Sequence, residues 1–132
     1  MSLLAVEVAL QAKVRSLGYT VMPENVPFDQ DTQTTPFIEV YSLPNTNDEL
    51  HKNGRAEYLG IYQLSIYTDP NKGRGESLGI IDAINSAFYA GSEINSGDTK
   101  IIIDGISYSQ GVNDGNHYRN NVSINYRVFT GI

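Results

Sequence analysis

Asp69-Pro70-Asn71-Lys72-Gly73-Arg74-Gly75-Glu76-Ser77-Leu78-Gly79 lies between an alternating apolar stretch and an apolar helical pattern. That is the order in which a phosphate-binding turn is built. The details argue against a nucleotide. Gly-x-Gly-x-x-x-Gly is one residue longer than the dinucleotide fingerprint, and Lys72 precedes the first glycine where a phosphate-loop lysine would follow the last. Glu76 falls in the first helical turn, so a carboxylate already occupies the positive end of the helix dipole. The glycines are expected to let the chain turn sharply and the helix pack closely on the sheet.

Other chemistry-bearing groups are sparse. His51 and His117 are the only histidines, each in a polar loop or at a strand start, and both read as solvated surface groups. Asp29-Gln30-Asp31 begins like a calcium loop, but it lacks the central glycine, and Val40 stands where a bidentate Glu belongs. Ser107 or Ser109 with His117 and Asp114 could be imagined as a nucleophile system. No elbow of glycines surrounds either serine. Nothing places the pairs Asp48 with Glu49, or Asp69 with Glu76, in an apolar pocket that would split their pKa values. Asn121-Val122-Ser123 matches a glycosylation sequon in mid-strand and is taken as chance. No catalytic residue, cofactor or metal site is expected.

The bulk composition agrees. The chain has 132 residues, a formal net charge of −6 and no cysteine. The length suits one domain with a real core. Acidic charge without a basic cluster argues against gripping a nucleic-acid backbone. The missing cysteines exclude a disulfide framework and a thiolate zinc site. The N-terminal stretch carries Glu7, Lys13 and Arg15 without a basic start or cleavage site, so no secretion signal is expected. No run approaches the roughly 20 apolar residues of a membrane span.

The elements that would carry these groups read as follows. Leu3, Val6, Leu10, Val14 and Leu17 recur at helical spacing over 2–17, with Ser2 placed as N-cap and Gly18 as the stop. Residues 23–36 hold three prolines and no period, an irregular segment that either wraps its own domain or reaches a neighbouring subunit. Strands are expected at 37–43 and 55–68, joined by a polar turn at 44–54. A bulge or two-sided burial is expected around Gly60. A helix follows over 75–90, stopped by Gly91. Asp104-Gly105 separates apolar runs at 99–105 and 106–112 and reads as a hairpin turn. In the last strand Tyr118, Val122, Ile124, Tyr126 and Val128 point one way, while Arg119, Asn121, Ser123, Asn125 and Arg127 point the other. Of the nine tyrosines, Tyr62, Tyr118 and Tyr126 are expected in the core and Tyr41, Tyr67 and Tyr108 on the surface. The whole reads as α+β: a single domain over 1–132, a mostly antiparallel sheet with two helices packed on one face.

Residues 60–88, GIYQLSIYTDPNKGRGESLGIIDAINSAF, carry a resemblance. An aromatic and aliphatic strand ends near Tyr-Thr, a Gly-x-Gly turn follows, and a helix with small residues closes on Phe. The matching residues are Tyr62, Leu64, Ile66, Tyr67, Gly73, Gly75, Ile81, Ala83, Ile84 and Phe88. The pattern resembles the tail terminator (minor tail protein U-like) family of long-tailed bacteriophages and prophages. The resemblance implies a structural protein, not an enzyme. Such a subunit forms a ring, usually a homo-hexamer, on the finished tail tube. The ring stops tube-subunit addition and meets the head connector. Its partners would be itself, the tail tube protein and the head connector, with genomic DNA passing through the lumen without specific binding and no membrane. It would assemble in the host bacterial cytoplasm and end in the virion tail. Expected contact residues are Pro27, Phe28, Asp29 and Asp31 in the irregular arm, Asn47 in the polar turn, and Lys72 and Arg74 in the glycine turn. A neighbouring head–tail completion protein, a small oligomeric enzyme and a ligand-binding domain stay open as alternatives.

Overall fold

A computed structural model describes residues 3–23, 35–46, 56–70, 75–96, 99–109, 111–114 and 117–130. In chain order the elements are α1 (Leu3–Arg15), β1 (Thr20–Met22), β2 (Phe37–Thr46), β3 (Ala56–Thr68), α2 (Gly75–Ala87), β4 (Glu93–Ser96), β5 (Thr99–Tyr108), β6 (Val112–Asp114) and β7 (His117–Thr130).

The first helix forms where the periodicity places it. Val6, Leu10 and Val14 are buried as one stripe. Lys13 and Arg15 sit in the last turn, where positive charge suits the dipole. Leu17 and Gly18 close it with bonds to the carbonyls of Val14 and Arg15, at 3.1 and 3.0 Å. Gly18 then takes φ of 91°, a conformation that costs glycine least. In α2 the buried side is Ser77, Ile80, Ile81 and Ile84, continued by Phe88. Each of its isoleucines contributes on the order of 1.5–3 kcal/mol by leaving water.

The strands form one curled sheet in the order β1-β2-β3-β7-β5-β4, with β6 also pairing β7. β1 and β2 run parallel, and the other neighbouring pairs run antiparallel. α1 touches β1 and β4, the two end strands of the sheet order, and α2 lies on β3. The face toward the helices carries Ile38, Val40, Tyr62, Leu64, Ile66, Ile101, Ile103, Val122, Ile124, Tyr126 and Val128, which join the helix stripes in one core. The α+β fold with two helices and a mostly antiparallel sheet is therefore the one read from the sequence.

Two irregularities set the register. Asp104-Gly105 is not a hairpin turn. β5 runs unbroken from Thr99 to Tyr108, and its pairing with β7 slips between Ile103 and Gly105. Asp104 is thus the extra residue of a bulge, and its carboxylate accepts from Arg127 Nε at 2.9 and 3.2 Å. The second slip lies between Pro44 and Thr46 of β2, opposite Gly60 and Leu59, so the irregularity expected near Gly60 falls on its partner strand. Gly60 itself pairs with Tyr126, whose ring lies so close that an added Cβ would stand 2.5 Å from it. Gly75 and Gly79 differ. A Cβ at either meets nothing within 4 Å, so close helix–sheet packing is not what they provide.

Candidate interaction surface

Alternation sends every second strand residue to the face away from the helices. There, direct cross-strand partners line up in rows. One row is Tyr41, Gln63, Ser123 and Ser107; the next is Glu39, Ser65 and Asn121. The middle of this face is made of hydroxyls and amides. Ser65 donates to Asn121 Oδ1 at 2.9 Å, and Ser109 bonds the Asn121 backbone in both directions. Gln63, Ser107, Tyr108, Ser109, Asn121 and Ser123 line a shallow groove of about 330 Å³. None of the six carries a formal charge, so the groove offers hydrogen bonds and one exposed aromatic ring, Tyr108.

Toward one end the same face is closed over. Phe37 is fully buried, and its ring stacks on Tyr67 with centroids 4.7 Å apart. His117 meets both rings edge-on, at 5.4 and 5.7 Å. Tyr67 donates to Glu39 Oε1 at 3.1 Å. Burial pushes the Tyr67 phenol above its usual range and the Glu39 charge adds to this, while a hydrogen bond with Arg119 and its charge pull the other way. Tyr67 and His117 were both expected at the surface; both are buried. The reason is cross-strand pairing. Phe37 stands directly opposite Tyr67, and Tyr67 opposite Arg119, so three long side chains cover one another. Toward the other end the face turns apolar, with Leu43 exposed beside Ile61.

The arrangement does not assemble the imagined nucleophile system. The Ser109 hydroxyl is engaged with the Asn121 main chain, and His117 packs on aromatic rings. Asp69 accepts from Thr35, while Glu76 is exposed on α2. Among the described residues no group of three or more His, Asp or Glu side chains could hold a metal. Also among them, no helix is long and apolar enough to cross a membrane. Pro27, Phe28, Asp29, Asp31, Asn47, Lys72 and Arg74, the expected contact residues, all lie outside the described residues, as does His51. The polar rows were legible in the alternation of β7. The aromatic cluster was not, because its partners come from three strands distant in sequence.

No curated protein matches the chain. One similar solved structure matches over 100% of this chain and 97% of its own, with a TM-score of 0.67 and 18% identity. That likeness establishes a shared fold. A family model described as phage tail terminator protein matches residues 3–126, nearly the whole of the sequence. A curled sheet, two helices and a hydroxyl-and-amide face, matched from the first helix through most of β7, thus belong to a member of the phage tail terminator family.

Proposed function

We propose that this chain forms a ring, of six copies, that seats on the end of the phage tail tube, stops further tube subunits from adding, and presents its far side to the head connector. The observation that carries this reading is family membership over residues 3–126. A ring requires a heterologous contact whose rotation closes. Each such contact needs on the order of 1,000 Å² or more of buried surface. Residues 23–36, with three prolines and no period in their sequence, are the segment best suited to subunit contact, with the 44–54 and 69–75 segments as further contacts. The net charge of −6 suits a lumen through which DNA passes without sticking, since like charges repel. Assembly would take place in the host cytoplasm before the protein becomes part of the virion tail. Deleting residues 24–34 tests the arm. The shortened chain should fold and lose ring mass by light scattering; an unchanged oligomer mass would refute the role given to the arm.

A further inference from the structure

The sheet is left open along one margin. β4 pairs with β5 as far as Ile102, and Gly91 and Ser92 add bonds to Ile103 at 2.7 and 2.9 Å. From Gly105 onward β5 pairs with β7 alone among the described residues, and β6 continues the same line, again beside β7. The backbone pattern fixes which groups face out. Ser109 donates to the Asn121 carbonyl at 2.9 Å, so the two-residue alternation of an antiparallel pair turns Gly105 and Ser107 to β7. Ile106 and Tyr108 then direct their N–H and C=O groups to the open side. Sheet margins are ordinarily guarded by charge, proline, bulges or short length. β1 has three residues and is followed by Pro23, β2 carries Pro44 and a register slip beyond the reach of β1, and β4 has four residues and joins in the Lys100–Glu93 ion pair. Residues 105–109, Gly-Ile-Ser-Tyr-Ser, carry neither charge nor proline, and Tyr108 and Val112 stand exposed along this line.

The register says what reaches this margin. Phe37, Tyr67, Arg119 and Val112 are successive cross-strand partners, so Phe37 and β6 lie in one row on opposite sides of the sheet. The segment 23–36 re-enters the domain immediately before Phe37, where Thr35 bonds Asp69. Copies set side by side in a ring therefore bring this segment of one copy to the open margin of the next at the same height. An added strand needs N–H groups, and 28–34 is free of proline, with Phe28, Thr32 and Thr34 as strand formers. A strand over 28–34 is about 23 Å long, which fits within the roughly 30 Å of margin along 105–113. We infer that residues 28–34 of one copy lie as an added strand along β5 and β6 of the next. This rests on the ring reading, for which it names the surface that receives the segment. The giving and receiving surfaces differ, as a head-to-tail contact requires.

The absence of cysteine gives a clean test. A chain carrying both Gln30→Cys and Tyr108→Cys, oxidised mildly, should give a ladder of disulfide-linked multimers on a denaturing gel, in clear excess over either single variant. Monomers closed by an internal disulfide would overturn the inference, because each segment would then lie on its own domain. Tyr108→Pro removes the outward N–H without touching the bonds to β7. It should keep the wild-type circular dichroism spectrum and raise the concentration needed for assembly by about tenfold or more, whereas Tyr108→Phe should assemble as wild type does. The mass of the wild-type particle separates this contact from the ring itself. Cross-linking that stops at pairs, from a wild-type particle of two chains, keeps the added strand and refutes the ring. Ring mass without the ladder, and unmoved by Tyr108→Pro, refutes the added strand and leaves the ring standing.

Discussion

Phe37 offers a stringent check on how this sheet is held, because it is buried on the face that the helices do not cover. Its side chain is fully buried, stacked on Tyr67 at 4.7 Å and met edge-on by His117. Phe37→Ala removes the ring and leaves a cavity between two aromatic groups that cannot collapse without disturbing β3 and β7. Truncating a buried Phe to Ala costs about 3–5 kcal/mol. Unfolding entropy of about 2.1 cal/mol/K per residue gives about 280 cal/mol/K for a chain of this length, so each kcal/mol moves Tm by about 3.6 °C. The expected fall is therefore about 11–18 °C in differential scanning calorimetry. Leu43→Ala, on the same face but exposed, serves as the control and should move Tm by no more than a degree or two. A Phe37→Ala protein within about 3 °C of wild type would refute the claim that this end of the outer face is a second packed core.

Gly60→Ala should destabilise by about 1–3 kcal/mol in urea titration, because its methyl would stand 2.5 Å from the buried Tyr126 ring; Gly79→Ala, with open space around it, should be neutral or stabilising. Tyr67 predicts a pH effect. Its folded pKa is raised above 10.0, so its contribution is complete below the unfolded pKa and is lost as pH rises through the folded one. Wild-type stability should thus fall above pH 10 more steeply than that of Tyr67→Phe, and parallel curves from pH 9 to 11.5 would contradict the burial of the phenol.

Much of the fold could be read from periodicity where elements are long. Val6, Leu10 and Val14 marked α1, and the strict alternation of residues 118–128 marked β7 and both of its faces. Gly18, at positive φ, closes α1 as expected, whereas α2 stops at Ala87 and Gly91, also at positive φ, lies in the turn beyond it, donating to the Ile103 carbonyl. The three short strands β1, β4 and β6, of three or four residues, carry too little pattern to stand out. Asp104-Gly105 had the local chemistry of a turn, yet pairing of Ile103 and Ile106 with the same strand β7 kept the chain extended and pushed Asp104 into a bulge. Tyr67 looked exposed because alternation puts it on the face of Gln63 and Ser65, and His117 because it starts a strand after a polar stretch. Their neighbours in space, Phe37 and each other, come from separate strands, and no local pattern reports that. The family was legible in the strand–glycine–helix unit at 60–88, whose residues Tyr62, Leu64, Ile66, Ile81, Ile84 and Phe88 are all core.

The most direct test of the account is a tube-growth assay. Purified tail tube subunits are allowed to polymerise from a tail-tip complex, the wild-type protein is added in excess part-way, and tube lengths are measured by negative-stain electron microscopy. The account predicts that lengths freeze at the moment of addition and that each free end bears a ring with a central hole. Tubes that keep elongating at the same rate, with bare ends, would contradict it.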